Sequence, residues 1–232
     1  MAVKVKWLGH AFFQITSQNG KIIYIDPWIT ENPSCSMKLS DFDRADVILV
    51  THDHFDHVGQ TVELSKQTGA TVVAPVETAQ SLKEQGVPES QIIFGGFGMN
   101  IGGTAEIDGI KLTMTQAFHS SATASPAGYI ITTEDGKNIY HAGDTGIFES
   151  MRLLAEIYPI ECALLPIGGV FTMDPIQAAK AVEIMKPKKV IPMHFGSFPI
   201  LEQSADRFKE LVKNKTPDVE VIVLKPGEEI TL

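Results

Sequence analysis

Cysteine is scarce in this chain. Cys35 and Cys162 are the only two, far apart in sequence, and two thiols cannot build a disulfide framework. Cys162 lies in an apolar run and reads as a small buried residue. Cys35 sits in a Pro-Ser-Cys-Ser loop with no pattern that marks a nucleophile. Long apolar runs are also missing, and none approaches the roughly 18 residues that a membrane span requires. The first residues, Met1-Ala2-Val3-Lys4-Val5-Lys6, alternate like a strand and do not read as a signal peptide. A soluble cytoplasmic protein is therefore the expectation. Basic charge is in deficit: 19 Lys and Arg face 28 Asp and Glu, a formal net charge of −9. That balance disfavours a bare nucleic-acid binder, which carries a basic face. No boundary signal divides the 232 residues, so 1–232 is read as one domain, long enough to bury about 70% of its unfolded surface.

What the chain does have is a dense cluster of metal-binding side chains. Val47-Ile48-Leu49-Val50 is short and rich in β-branched residues, so it reads as a buried strand. Thr51-His52-Asp53-His54-Phe55-Asp56-His57-Val58-Gly59 follows at once, where the strand ends and the chain turns. His52 and His54, two residues apart, project to the same side of an extended segment and can converge on one cation. Asp56 and His57 add a carboxylate oxygen and a further nitrogen. This mixture of donors suits zinc, and iron or manganese also fit.

The rest of the chain alternates strands and helices, the pattern of sheets covered by helices. Strands are expected at Val3–Leu8, Phe12–Thr16 and Lys21–Ile25, the last two joined by an Asn19-Gly20 hairpin turn. Asp26-Pro27-Trp28 closes the third strand and opens a long loop through Ser40. Helices are expected over 60–68 and 77–85, with a strand at 71–74 between them. The glycines of 95–109 miss the spacing of a phosphate cradle and read as turns between short strands. Further strands are expected at 110–116, 129–133, 138–140, 162–167, 189–193 and 219–224. The helix over 175–185 has the clearest start, with Asp174 as cap, Pro175 in the first turn and Gln177 three residues on. Phe148–Tyr158 and an amphipathic stretch marked by Leu201, Ala205, Phe208 and Val212 are the remaining helices, and Gly227 opens a short tail.

One event recurs along this order: a strand ends and a metal-binding residue appears. It happens at His52/His54/Asp56/His57, at His119, at Asp144 between Gly143 and Gly146, and at His194. Strand ends of one sheet edge converge in space, so distant loops can meet at one site. Two hydrolytic metals about 3.5–4 Å apart need some seven ligands, and this set supplies that number. His141, three residues before Asp144, is read as either orienting a ligand or donating a proton to a leaving group. His10, in Gly9-His10-Ala11, is read as either a core residue or a neighbour of the metals and second candidate proton donor.

His52-x-His54-x-Asp56-His57 followed by Gly59 resembles the signature of the metallo-β-lactamase fold superfamily of metal-dependent hydrolases. The match runs from Trp7 to Gly196. The resemblance implies an α/β fold, a four-layer αβ/βα sandwich of two mixed β-sheets flanked by helices. It implies that His52, His54 and His119 hold one divalent metal, that Asp56, His57 and His194 hold a second, and that Asp144 bridges them. The implied cofactors are two zinc ions, with Mn2+, Fe2+ or Ni2+ also compatible. The implied reaction is hydrolysis by a hydroxide shared between the metals, with Asp56, His141 and His10 as the catalytic candidates.

Trp7-Leu8-Gly9-His10-Ala11 and Phe13 further resemble the branch that contains ascorbate-phosphate lactonase and N-acyl-phosphatidylethanolamine phospholipase D. That points to an ester, lactone or phosphodiester bond in a small molecule, with 30–40, the glycine-rich turns and 168–173 as pocket walls. A nuclease is disfavoured by the acidic charge. A diiron redox protein would normally need a flavin partner domain, and a non-catalytic metal binder would be expected to have lost ligands. A homo-oligomer is compatible with the sequence.

Overall fold

The computed structural model describes residues 1–232. In chain order the first half contains β1 (Lys4–Gly9), β2 (Phe12–Thr16), β3 (Ile22–Ile25), β4 (Val47–Leu49), α1 (Phe55–Val58), α2 (Thr61–Thr68), β5 (Thr71–Val73), α3 (Val76–Glu84) and α4 (Ile93–Gly96). The second half contains β6 (Thr104–Ile107), β7 (Ile110–Gln116), β8 (Ala127–Thr132), β9 (Asn138–His141), α5 (Met151–Ile157), β10 (Ile160–Pro166), α6 (Pro175–Met185), β11 (Lys189–Met193), α7 (Asp206–Lys215), β12 (Glu220–Val221) and β13 (Glu229–Thr231).

The strands form two sheets, ordered β13-β1-β2-β3-β4-β5 and β12-β11-β10-β9-β8-β7-β6. Each is mixed. In the first sheet β13, β1, β2 and β3 pair antiparallel, while β3, β4 and β5 are parallel. In the second, β6 to β9 pair antiparallel, while β9 to β12 are parallel.

Strand alternation explains the layering. Val5, Trp7, Phe13, Ile15, Ile23, Ile25 and Leu49 from the first sheet share one core with Leu112, Met114, Tyr129, Ile131, Leu164 and Ile191 from the second. The intervening residues point the other way, because side chains alternate across a strand. Phe12, Tyr24, Ile48 and Val72 pack with Leu64 of α2 and with Ala79 and Leu82 of α3. Ile130, Tyr140, Ala163 and Val190 pack with Met151 of α5, Ala178 and Val182 of α6, and Phe208 and Val212 of α7. The result is helices, sheet, sheet, helices: the four-layer sandwich.

Local chemistry sets the element boundaries. Asp174 caps α6 by accepting from the Gln177 amide at 2.8 Å, and the helix stops where Lys186 turns left-handed before Pro187. α5 begins later than its apolar pattern suggests, because Phe148 packs on Phe118 with ring centroids 5.4 Å apart and stays outside the helix. α7 likewise starts at Asp206, since Leu201 is buried in a preceding turn closed by its amide to Phe198 O. The expected last strand shrinks to the two residues of β12. Beyond them the chain leaves the second sheet for the edge of the first, where Gly227 N donates to Trp7 O and β13 pairs with β1. The expected tail is therefore an edge strand. No helix is long and apolar enough to cross a membrane.

Candidate metal centre

Seven histidines are present in the chain, and all seven gather at one edge of the sandwich. They emerge where strands of both sheets end: His10 after β1, the 52–57 group after β4, His119 after β7, His141 at the end of β9 and His194 after β11. Hydrogen bonds lock the two sheets together at this edge. Tyr129 Oη donates to Val50 O at 2.9 Å, Ala127 N to Thr51 O at 3.0 Å, and His194 N to His10 O at 3.1 Å.

His52, His54 and His119 form one group. His54 Nδ1 lies 3.0 Å from His52 Nε2 and 3.2 Å from His119 Nε2. Asp56, His57 and His194 form a second, joined by His10, with ligand atoms all within 4.8 Å of one another. Asp144 sits between them. Its Oδ2 is 3.0 Å from His194 Nε2, 3.3 Å from His57 Nε2 and 3.6 Å from His119 Nε2. Every residue expected as a metal ligand is thus brought to the same place.

A residue that sequence reasoning missed sets the tautomers. Asp26, fully buried at the end of β3, accepts from the Thr51 amide at 2.8 Å on Oδ1. On Oδ2 it accepts the Thr51 hydroxyl and His57 Nδ1, both at 2.7 Å. The Thr51 proton is committed to Asp26, so the 2.9 Å contact between Thr51 Oγ1 and His52 Nδ1 needs a proton on that nitrogen. Both His52 and His57 then aim bare Nε2 lone pairs into the cluster. The only hint of Asp26 in the sequence was a carboxylate at a strand end, before a proline.

Those lone pairs supply the test of fit for a cation. His57 Nε2 faces a carboxylate oxygen, and three imidazole nitrogens converge around His54. His57 Nε2 and Asp144 Oδ1 are buried without a hydrogen-bond partner. Lone pairs opposed in this way repel unless a proton or a cation lies between them. Without a metal the cluster falls back on a proton: burial opposes charge on His57, yet Asp144 and Asp26 on either side raise its pKa well above the ordinary value. Burial likewise opposes ionisation of Asp144, but His194 and His57 hold its carboxyl well below the usual range. Burial lowers His52 to about 3, leaving its imidazole neutral. Once the His57 proton is displaced, such a set of imidazole nitrogens and carboxylate oxygens fits a divalent cation.

His10, Asp26 and His194 all adopt positive φ, at 56°, 50° and 56°. Backbone strain of this kind is tolerated where the surroundings over-determine it, as at ligand clamps. Close approach also demands glycine: a Cβ on Gly168 would fall 2.1 Å from His194 O, and one on Gly143 would fall 2.4 Å from Ala127 O. Gly146 has no such crowding, its nearest neighbour being Phe118 O at 4.0 Å.

The comparisons with known proteins agree with this geometry. The family model of the beta-lactamase superfamily domain matches residues 21–195. The chain belongs to that superfamily. Within it, a UPF0173 metal-dependent hydrolase of Nitratidesulfovibrio vulgaris (strain DP4) is 49% identical over 232 residues, covering 100% of this chain and 96% of its own length. Another from Pyrobaculum islandicum is 45% identical, over 99% of this chain and 100% of that protein. The solved structure of Igni18, a metallo hydrolase from Ignicoccus hospitalis, superposes with a TM-score of 0.91 at 38% identity, covering 100% of this chain and 99% of that one. The chain is a metal-dependent hydrolase of the metallo-β-lactamase superfamily.

The structure shows what surrounds the two further catalytic candidates of this hydrolase, His141 and His10. His141 Nε2 donates to Ala11 O at 2.9 Å, and its Nδ1 accepts from Gly143 N at 3.1 Å. Both ring nitrogens are thus bound to backbone, and the side chain has no exposure. It pins the turn that carries Asp144. His10 is equally enclosed: Nε2 lies 3.1 Å from Asp56 Oδ2, and Nδ1 lies 2.6 Å from Ser197 Oγ. Burial lowers His10 to about 4, so it is neutral, donating to Asp56 and accepting from Ser197. In this arrangement it holds Asp56 Oδ2 in place.

Of the expected pocket walls, only 168–173 reaches the cleft over the histidines, through Phe171. Thr30 and Glu31 border a separate depression, and Asn100 and Ile101 an adjoining groove.

Proposed function

We propose that this hydrolase cleaves an ester, lactone or phosphodiester bond in a small molecule, using two divalent cations. Zinc is the first choice, with Mn2+, Fe2+ or Ni2+ also compatible with the donors. The observation that carries the reading is the position of Asp144 Oδ2, within 3.0–3.6 Å of imidazole nitrogens from both groups. A carboxylate so placed suits a ligand shared by two cations. His52, His54 and His119 would hold one, and Asp56, His57 and His194 the other.

When bound, divalent cations supply Lewis acidity, polarise a substrate oxygen and bring the pKa of water to about 7. The chain's own residues prepare the site for that chemistry. Asp26 and Thr51 keep the protons of His52 and His57 on Nδ1. Ser197 and His10 fix one oxygen of Asp56, while His141 fixes the backbone ahead of Asp144. The cleft in front of these groups is lined by His54, Asp56, His119, Ser120, Asp144 and His194. A scissile bond seated there meets the donor set directly.

The test is turnover of a panel of lactones, esters and phosphodiesters by protein stripped of metal and then titrated with zinc or manganese. Activity should rise until about two equivalents are bound, and Asp56→Ala should remove it while the thermal transition of the fold persists. Full hydrolysis by Asp56→Ala, or by the stripped protein, overturns the proposal.

A further inference from the structure

Beyond the ligand set, the cleft in front of the histidines is apolar and carries no fixed cation. It has a volume of about 680 Å³, and its walls away from the histidines are Phe55, Phe171, Phe198, Pro199 and Ile200. No Lys or Arg is among its lining residues, so nothing there pairs with a charged substituent in the way guanidinium or ammonium groups do.

Several of these side chains are left in water at a cost. Phe55 is 67% exposed, Phe171 53% and Ile200 60%. Contiguous exposed apolar side chains rimming a polar centre mark a ligand site. Two of the aromatics are also fixed in advance. Trp28, 3% exposed, stacks on Phe198 with centroids 5.6 Å apart and meets Phe55 edge-on at 5.8 Å. Phe171 is presented by a tight turn, its amide bonded to Gly169 O across Val170. Val170 has φ 50°, a costly conformation for a β-branched residue. Strain and exposure at one rim make sense if the rim holds a partner during function.

We infer that the substrate is uncharged outside its scissile bond and carries an aryl or branched alkyl group that seats on Phe55, Phe171, Phe198 and Ile200. The inference rests on the proposed hydrolysis for the orientation of the bond towards Asp144. The adjoining groove meets the cleft at His119 and Ser120 and is lined by Asn100, Ser121, Thr123, Ser125 and one carboxylate, Glu77, again without a basic side chain. It suits a hydroxylated portion of the same molecule that carries no negative charge.

The experiment uses metal-loaded, full-length protein with two readouts. Calorimetry follows binding of a homologous series of N-alkylbenzamides, and turnover follows p-nitrophenyl esters from acetate to hexanoate alongside bis(p-nitrophenyl) phosphate. Each added methylene should tighten binding and raise kcat/KM about two- to fourfold, the upper value being that of full burial. Phe171→Ser and Ile200→Ser should flatten both slopes, whereas Phe97→Ser, an exposed aromatic outside the cleft, should retain them. Ester turnover indifferent to chain length overturns the inference and leaves hydrolysis standing. Graded binding with no turnover of any ester or diester supports the inference and overturns the proposed class of scissile bond. A dimer that buries Phe171 and Ile200, dispersed by Phe171→Ser without change in slope, assigns the rim to a second copy and overturns the inference.

Discussion

Asp26 Oδ2 lies 2.7 Å from His57 Nδ1, and both side chains are fully buried. This pairing decides which nitrogen of His57 faces Asp144. Carboxylates that orient a ligating histidine in this way commonly contribute 10–100-fold in metal affinity. Asp26→Asn should therefore weaken retention of the cation beside His57 by a factor in that range, measured by competition with a chromogenic chelator. Affinity equal to that of the parent protein would show that the pairing does not act on the metal.

His57 should also make metal-free protein sensitive to alkali. Its pKa is raised in the folded state by the flanking Asp144 and Asp26, against the opposing effect of burial. A raised histidine stabilises below its unfolded value near 6.5 and loses that contribution as pH climbs through the folded value. His10 and His52 run the other way. Burial lowers them to about 4 and about 3, so their contribution is complete above about 6.5 and is lost as pH falls towards those values. Stripped protein should thus melt at lower temperature on both sides of a maximum. Zinc should remove the alkaline decline, because a cation replaces the proton on His57 Nε2. Scanning calorimetry from pH 4 to 10, with and without zinc, checks both limbs.

His141 separates positioning from proton transfer. His141→Gln keeps an amide that can bond Ala11 O and Gly143 N, the two groups the imidazole now holds. The variant should retain most of its turnover and the same pH–rate profile. Disappearance of one limb of that profile would instead identify His141 as an acid or base.

Gly168 tests the packing behind His194. A Cβ there would lie 2.1 Å from His194 O and 3.2 Å from its Nδ1. Gly168→Ala should cost about 1–3 kcal/mol of stability, as overpacking typically does, and should lower occupancy of the cation near His194. Thermal melts of stripped protein read the first effect and metal analysis the second.

The candidate metal ligands were legible because so dense a run of histidine and aspartate serves no packing purpose. His52, His54, Asp56 and His57 follow an unmistakable buried strand, and Asp144 is flanked by glycine at a strand end. Asp26 was not legible, because its role appears only when Thr51 and His57, 25 and 31 positions away, fold against it. The roles of His10 and His141 depend on which groups their ring nitrogens meet, and alternation patterns carry no such information. For the fold, the two-residue period of β1 to β3 and the cap of α6 are local and were readable. β13 was not: three residues become a strand only because the edge of β1 offers them a ladder. The apolar rim was half hidden for the same reason. Phe55 lies inside the metal motif and Phe198 beyond the last ligand, and only Trp28 brings them together.

The central claim is a pair of cations with Asp144 between them. Anomalous diffraction from crystals of zinc-loaded protein tests it most directly. Two peaks are expected, one among His52, His54 and His119 and the other among Asp56, His57 and His194, each within bonding distance of Asp144. A single peak, or a second one bound through His10 with Asp144 unengaged, would contradict it.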